Sequence, residues 1–129
     1  MDPSDQPPFP RLHGVQILEI STERVRTELG VRRELTDRSQ VLHGGALMAL
    51  ADNAAGIATV ANLPKGARVT TIEAKANFFN TIAQGDRARA ECTPLHRGRT
   101  TMVWQTKITR GDGKLAAIVT QTQLIVRAD

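Results

Sequence analysis

One segment of this sequence, residues 44–61, limits the possible folds more than any other feature. It reads GGALMALADNAAGIATVA; after a polar turn that ends in the two glycines, the run ALMALADNAAGIATVANLP is rich in helix-forming residues and stopped by Pro64, so it predicts one long helix. Apolar residues occur on every side of that helix, which is typical of a helix buried all round. Because one flat sheet would leave a side of it in water, we expect either a strongly curved sheet or a second copy of the chain to cover it.

The same segment is long enough to raise the question of a membrane span. Asp52 and Asn53 lie near its middle, and a charge at the bilayer centre costs roughly 2.5–3.5 kcal/mol on insertion scales. The start of the chain, MDPSDQPPFP, carries acids and prolines where a secretory signal needs a basic and then an apolar run. A single cysteine, Cys92, excludes an intrachain disulfide and is compatible with a reducing compartment. We therefore expect a cytoplasmic protein with no membrane partner.

The rest of the chain is β-prone. Residues 13–20 and 24–35 predict two short strands before the helix, and the segments VTTIEAKANFFNTI, ARAECTPLHRG, TTMVWQTKITRG and KLAAIVTQTQLIV predict four strands after it. Consecutive strands around one helix favour an α+β fold with an antiparallel sheet. We divide the 129 residues into a flexible, proline-rich lead, residues 1–12, and a single domain, residues 13–129.

Charge and composition narrow the class of ligand. The net charge is +4, yet aromatic residues make up only 3% of the chain and tyrosine is absent, so the stacking platforms of nucleic-acid-binding proteins are missing. We expect no nucleic-acid partner, and a small anionic ligand fits better.

Asp52 is an acid on a helix that is otherwise almost free of charge. It is either a residue at the helix surface or a reactive carboxylate, and the small neighbours Ala51, Ala54, Ala55 and Gly56 would line a narrow slot beside such a group. The sequence His43-Gly44-Gly45 precedes the helix, where uncovered N–H groups and the helix dipole favour a developing negative charge. The alternative for this tripeptide is a tight turn with His43 as a capping residue.

The spacing of these two features suggests a shared site. Asp52 follows Gly45 by seven residues, which corresponds to roughly 10 Å along a helix axis. One reacting carbonyl cannot contact both groups at that separation. If two copies pair about a twofold axis with antiparallel helices, Gly45 of one copy faces Asp52 of the other, so dimerisation would be required for the site.

The segment LHGGALMALADNAAG resembles the hotdog-fold acyl-CoA thioesterases of the phenylacetate-degradation (PaaI-like) type. The strand TTIEAKANFF, the turn at Gly85, the loop HRGRT and the hairpin DGKLAA extend the resemblance from about residue 37 to the end. It implies a long central helix wrapped by a curved antiparallel sheet of about five to six strands. It also implies hydrolysis of acyl-CoA thioesters to a free acid and coenzyme A, by a homodimer expected to form a homotetramer, with no metal and no cofactor beyond the coenzyme A of the substrate.

The resemblance implies a role for individual residues. Asp52 stands where the family has its nucleophile or general base, the Gly45 N–H where it has the donor to the thioester oxygen, and Thr71 where a hydroxyl helps to place water. His43 is expected to orient the loop, and Gly56 to pack against the pantetheine or acyl arm. The phosphates of coenzyme A are expected on the loop after His96, formed by Arg97, Gly98, Arg99 and Thr100. The alternative for that loop is a solvated basic hairpin.

The sequence departs from the family pattern at two positions. Asp37 stands where an amide is expected to bond near the thioester oxygen, and Gln40 is the nearest residue that could supply that amide instead. Thr81 replaces a proline that often follows the paired aromatic residues. Four apolar residues are either lining of an acyl pocket or core: Met48, Leu50, Phe78 and Phe79.

Two other functions fit the same fold. A non-catalytic regulator would bind acyl-CoA without cleaving it, but such proteins usually carry a DNA-binding segment, for which residues 1–12 are too short and too rich in proline. A hydratase or dehydratase would need its His and acid arranged to move a proton from carbon. The order of HGG followed by Asp52 favours the thioesterase.

Overall fold

The structure, a computed structural model, describes residues 5–127 and contains two helices and six strands in that range. In chain order these are α1 (Pro8–His13), β1 (Gln16–Ile20), β2 (Val25–Gly30), α2 (Gly44–Ala61), β3 (Arg68–Phe78), β4 (Arg87–Arg97), β5 (Thr101–Thr109) and β6 (Leu115–Val126). All strand pairs are antiparallel, and the order across the sheet is β1-β2-β4-β5-β6-β3. The predicted α+β architecture is confirmed.

Helix α2 is the centre of the fold, as a hotdog arrangement requires. It contacts all six strands, and its residues Leu50, Ala51, Ala54 and Ala55 are completely buried. Small alanines allow the helix to lie close to the sheet, while Leu29 and Trp104 fill the space between them. Although α2 is long and apolar enough to cross a membrane by length and composition, it is the core helix of this domain.

One side of α2 stays open in the single chain, so of the two expected covers the curved sheet alone does not bury the helix on every side. Asp52 and Val60 are exposed, while Ala49, Asn53 and Gly56 are half-buried. The curved sheet therefore covers most of the helix, and the open face must rely on something else for cover.

Helix α1 is an element that the sequence did not lead us to expect, because four prolines precede residue 11. Pro8 occupies the first helical position, where its missing N–H costs nothing, and Gly14 ends the helix with a φ of 91°. The Arg32 guanidinium then donates to the carbonyl oxygens of Leu12 at 2.6 Å and His13 at 2.9 Å. The boundary expected at residue 12 falls inside this helix.

The second predicted strand is also shorter than expected. It ends at Gly30 rather than continuing to residue 35, and Arg33–Leu35 forms a 3-10 turn. The remaining predicted strands agree closely with β3 to β6.

The two edges of the sheet differ in length, although a register shift interrupts both of them, that of β3 lying between Thr71 and Glu73. Strand β1 has 5 residues and its pairing with β2 is interrupted between Ile17 and Glu19. Strand β3 has 11 residues, most of them exposed, and within residues 5–127 it pairs only with β6. The long edge is thus open along its whole outer side.

Cys92 lies in β4 and is completely buried. Burial raises the pKa of its thiol to about 11, although a hydrogen bond with Thr106 acts in the opposite direction. The thiol is therefore protonated at neutral pH and belongs to the core.

Candidate active site

Asp52 is tied to the sheet by a chain of three hydrogen bonds. Its Oδ1 accepts from Gln121 Nε2 at 2.7 Å, and the same nitrogen donates to Thr71 Oγ1 at 3.1 Å. The Thr71 hydroxyl in turn donates to Gln123 Oε1 at 2.9 Å. Asp52 and Thr71, predicted as site residues from different parts of the sequence, are brought together through Gln121.

Gln121 is a site residue that the sequence reasoning missed. On β6 the inward-facing positions are Ala117, Val119, Gln121, Gln123 and Ile125, all buried. Two glutamines therefore interrupt an otherwise apolar inward face. That period-two pattern was readable in the sequence, since a buried polar side chain needs a partner.

The open face of α2 forms one wall of a cleft of about 400 Å³ around Asp52. The opposite wall is formed by Pro7, which precedes α1, and by Phe9 and Pro10 of α1. Val69 of β3 also lines the cleft. Gly56 lines the same cleft, and a Cβ added there would meet no atom within 4 Å. Gly56 therefore leaves open space in the cleft, and its contact with the pantetheine or acyl arm stays a prediction.

The residues before α1 are anchored at this cleft. Gln6 is buried, its Nε2 donates to the carbonyl oxygen of Val15 at 2.8 Å, and its Oε1 accepts from Asn53 Nδ2 at 3.4 Å. His13, also buried, has its pKa lowered by burial and secondarily by the charge of Arg32. Of the lead expected over residues 1–12, residues 1–4 lie outside the described part of the chain, and Gln6, Pro7, Phe9 and Pro10 build part of the wall that faces Asp52.

The start of α2 carries a donor that is partly used within the chain. The Gly45 N–H donates to His43 Nδ1 at 2.8 Å, so His43 is the N-cap of the helix. The N–H of the adjacent Gly44 has no acceptor among residues 5–127. The predicted donor Gly45 is therefore occupied in the single chain, and Gly44 offers the uncovered N–H of the pair.

Asp52 and Gly45 lie in separate clefts. A second cleft, of about 600 Å³, contains His43, Gly45 and Ala46, and the α1 residues Phe9 and His13 border both clefts. Helix α1 thus stands between the two groups. One chain does not bring the predicted acid and the predicted donor to one reacting atom, which agrees with the spacing argument.

Asp37 and Gln40 lie in a turn that precedes α2. Asp37 Oδ1 accepts from the Ser39 N–H at 2.8 Å, and Gln40 adopts a left-handed φ of 60°. The Asp37 carboxylate therefore stabilises the turn. Gln40 is exposed, and its side-chain amide has no partner in the described part of the chain.

A third cleft, of about 270 Å³, contains Asp37, Gly44 and Thr81 next to the aromatic pair Phe78 and Phe79. These two rings are 55% and 54% exposed, so they are not core residues in the single chain. Two more residues were expected to be either lining of an acyl pocket or core. Leu50 is buried in the core, and Met48 is half-buried and packs against the core cluster.

The basic loop between β4 and β5 is only partly available to a ligand. Arg97 donates to both carboxylate oxygens of Glu23, at 2.8 and 3.2 Å, and to the carbonyl oxygen of Thr22. Gly98 closes the hairpin through its N–H to the carbonyl oxygen of Thr101 at 2.8 Å. The guanidinium of Arg99 forms no ion pair or hydrogen bond within residues 5–127, so Arg99 is the arginine free to meet an anion.

Over the part of the chain that the structure describes, no group of three or more His, Cys, Asp or Glu side chains could hold a metal ion. The polar side chains that line the cleft around Asp52 are the carboxylate of Asp52 itself, the amides of Gln6 and Asn53, and the imidazole of His13.

Comparison with known sequences gives a family match over residues 39–117, to the family described as the thioesterase superfamily. A Mycobacterium tuberculosis protein named as an esterase is 30% identical over 113 residues, covering 85% of this chain and 80% of that protein. A 1,4-dihydroxy-2-naphthoyl-CoA hydrolase of Listeria monocytogenes is 29% identical over 105 residues, covering 81% of this chain and 85% of that enzyme.

Solved structures give the same result for the fold. The M. tuberculosis protein superposes with a TM-score of 0.89 at 27% identity, covering 95% of this chain and 99% of that one. A mutant of the phenylacetic acid degradation protein PaaI from Thermus thermophilus superposes with a TM-score of 0.84 at 25% identity, covering 95% of this chain and 100% of that one.

Proposed function

This chain belongs to the thioesterase superfamily, and on that premise we propose that it hydrolyses acyl-CoA thioesters to a free carboxylic acid and coenzyme A. The observation that carries the proposal is the Asp52 carboxylate on the open face of α2, held by Gln121 and bordering a cleft. A carboxylate in that position can supply the base or the nucleophile that thioester hydrolysis needs.

The chemistry requires one oxygen to replace one sulfur at the acyl carbon. Either Asp52 attacks the thioester carbonyl, and water then hydrolyses the mixed anhydride, or Asp52 removes a proton from a water that attacks directly. In both cases the carbon–sulfur bond breaks, and coenzyme A leaves as a thiolate that takes up a proton. Single-turnover hydrolysis in isotopically labelled water tests the first route, because label enters Asp52 only when water attacks the Asp52 carbonyl carbon of the anhydride. Trapping the acylated Asp52 with hydroxylamine covers the case in which water attacks the acyl carbon.

The site needs a second subunit to supply the donor for the thioester oxygen. Asp52 and Gly45 are in different clefts of one chain, and the open face of α2 continues onto the exposed strand β3. If two copies join their β3 edges about a twofold axis, their α2 helices run antiparallel on one continuous sheet. Asp52 of one copy then approaches the helix start of the other.

The charges on β3 support this pairing. Glu73 and Lys75 lie two residues apart on the exposed strand, and neither forms an ion pair within residues 5–127. In an antiparallel twofold pair centred on Ala74, each Glu73 lies opposite Lys75 of the partner subunit. The strand is thus complementary to a second copy of itself.

The oxyanion of the tetrahedral intermediate would be bound by the start of α2. The Gly44 N–H is uncovered, and the Gly45 N–H becomes available if the His43 side chain rotates away from it. The positive end of the helix dipole adds to both donors. Losing one such donor costs about 3–4 kcal/mol of transition-state stabilisation.

The phosphates of coenzyme A would bind at the hairpin that contains Arg99 and Thr100. Arg99 is the free cation of that loop, whereas Arg97 is held by Glu23. Replacing Arg99 with alanine should raise KM for acyl-CoA about tenfold and leave KM for the matching acyl-pantetheine unchanged, because only the former carries the nucleotide phosphates. A rise for both substrates would contradict this assignment.

The deciding experiment is release of free thiol from a panel of aryl-, short-chain and long-chain acyl-CoAs. We expect Asp52→Asn to lower kcat by about 10²–10⁴-fold with the fold intact, as judged by circular dichroism and thermal unfolding. Near-normal turnover by this variant would refute the role of Asp52. Binding of acyl-CoA by the wild type without thiol release would identify a non-catalytic binding protein, and loss or gain of water on an intact thioester, seen by mass spectrometry, a hydratase or dehydratase.

A further inference from the structure

Gln121 is the only side chain of residues 5–127 that hydrogen-bonds to Asp52. We infer that Gln121 is a positioning residue, which holds one oxygen of the Asp52 carboxylate so that the other oxygen faces the thioester. This inference rests on the function proposed above. It concerns a residue of β6 that contacts the acid and not the substrate.

The hydrogen-bond directions determine how the Gln121 amide is oriented. The Thr71 hydroxyl gives its proton to Gln123 Oε1, so toward Gln121 it can only accept. The amide nitrogen of Gln121 has two protons, one for Thr71 and one for Asp52. Exchanging its nitrogen and oxygen would set Oε1 against the carboxylate and leave Thr71 without a donor. The network therefore permits one orientation, with the nitrogen toward Asp52.

The burial of the Gln121 amide indicates that this residue does more than stabilise the fold. Gln121 is 2% exposed, and its Oε1 has no hydrogen-bond partner within residues 5–127. A buried polar atom without a partner costs about 1–3 kcal/mol, which an apolar side chain of similar volume would avoid. The position thus carries a cost that packing alone does not explain, while both N–H groups are used at the site.

The hydrogen bond from Gln121 restricts the side chain of Asp52, which is otherwise exposed. A free aspartate on a helix surface samples several side-chain rotamers, only some of which direct an oxygen at a given point. The 2.7 Å bond to Gln121 restricts that choice and occupies Oδ1. Oδ2 is then the oxygen left for attack or for proton removal. A displacement of about 1 Å at a reacting group can cost about 100-fold in rate.

The test replaces Gln121 with methionine, which keeps the volume and removes both N–H groups. We expect kcat for the best acyl-CoA to fall at least about tenfold, with KM changed less than about threefold, because the substrate itself does not contact Gln121. The matched control is Gln123→Met, on the same strand and face and 3% exposed. The factor by which kcat falls in Gln123→Met should be at least about fivefold smaller than the factor in Gln121→Met. An equal fall in the two variants, or a smaller fall than tenfold in Gln121→Met, would overturn the inference.

A double-mutant cycle separates positioning from general disturbance. If Gln121 acts through Asp52, Gln121→Met should change the residual kcat of Asp52→Asn by less than about twofold. The same loss in both backgrounds would mean that Gln121 acts independently of Asp52, and the inference would be wrong.

A second variant covers the case in which Gln121→Met does not fold. Gln121→Asn keeps a polar group at the buried position but withdraws the amide by about one carbon–carbon bond, roughly 1.5 Å. It should show the same loss of kcat at unchanged KM, and normal kcat would contradict the inference. Failure of the proposed function looks different, because the wild type would then release no thiol from any acyl-CoA.

Discussion

The two edges of the sheet show opposite ways of treating an exposed strand. Strand β1 has 5 residues, an interrupted register and a Glu19 carboxylate that Arg24 binds through 2.8 Å and 3.0 Å contacts. Strand β3 has 11 residues, and its Ile72 is 56% exposed. Natural proteins usually shorten, bend or charge the edges of sheets that must stay unpaired. The β1 edge is shortened, whereas the β3 edge keeps its full length, although it too has a register shift, between Thr71 and Glu73, and carries charged residues. A long edge is expected of a strand that pairs with a second copy.

The largest effect in this comparison is expected from a proline on the β3 edge, with a proline on the β1 edge as its control. Phe79 donates its N–H to the carbonyl oxygen of Ala116 on β6, so by the alternation of an antiparallel ladder the N–H of Ala74 points outward. Ala74→Pro should therefore spare the β6 ladder and block the proposed dimer, lowering kcat/KM by about 100-fold or more because the proposed site is shared between subunits. Light scattering and thiol release measure the two effects.

The matched control is Leu18→Pro, at the interrupted register of β1. It should leave the oligomeric state and the activity as they are, because that edge has no partner in the proposed dimer. If Leu18→Pro dissociates the oligomer, or if Ala74→Pro is a fully active monomer, the claim that β3 is the pairing edge and β1 is not would be wrong.

A smaller effect is expected from the charges of β3. Lys75→Glu would set two glutamates opposite each other in both halves of a pair centred on Ala74, at a cost of about 1–2 kcal/mol. The dissociation constant should rise roughly tenfold, as measured by analytical ultracentrifugation. The swapped double variant Glu73→Lys/Lys75→Glu should restore it. A swap that fails to restore the affinity would place the centre of the pair elsewhere on β3.

The smallest expected effect is the pH dependence of the free energy of unfolding that arises from His13, at the end of the sheet where β1 begins. His13, just before β1, has a pKa held below the ordinary 6.5 by burial and by Arg32. The unfolded chain therefore binds a proton that the folded chain resists, and His13 makes the free energy of unfolding decrease as pH falls below about 6.5. Urea unfolding at about pH 7.5 and about pH 5.5 should show a larger loss for the wild type than for His13→Gln. Equal losses would remove His13 as the cause.

Local patterns predicted most of the fold. The apolar run with Pro64 behind it was sufficient for α2, and the β-prone segments after it correspond to β3 through β6. Helix α1 was missed because prolines were read as a break, although a proline at the first position suits a helix. Its stability depends on the distant Arg32, whose contacts with Leu12 and His13 no local pattern contains.

The sequence indicated which residues of the candidate site lie near one another, but it could not indicate which side chains are held by distant partners. The structure joins Asp52 and Thr71 through Gln121 and places Gly56 in the cleft beside Asp52, while the roles given to these residues stay predictions. Arg97 was assigned to a phosphate with no knowledge of Glu23, which is 74 residues away and binds it. Capping of the helix by His43 was only one of two alternatives from the sequence, because the rotamer of His43 decides whether its Nδ1 accepts from the Gly45 N–H.

The buried Cys92 has a practical consequence for every kinetic experiment suggested here. Thiolates, not thiols, react with the aromatic disulfides used to detect liberated coenzyme A, and a pKa of about 11 keeps this sulfur protonated and enclosed. The folded protein should contribute almost no colour of its own. A slow rise in signal without substrate would then report opening of the core around β4, so one reagent would serve as a gauge of both turnover and integrity.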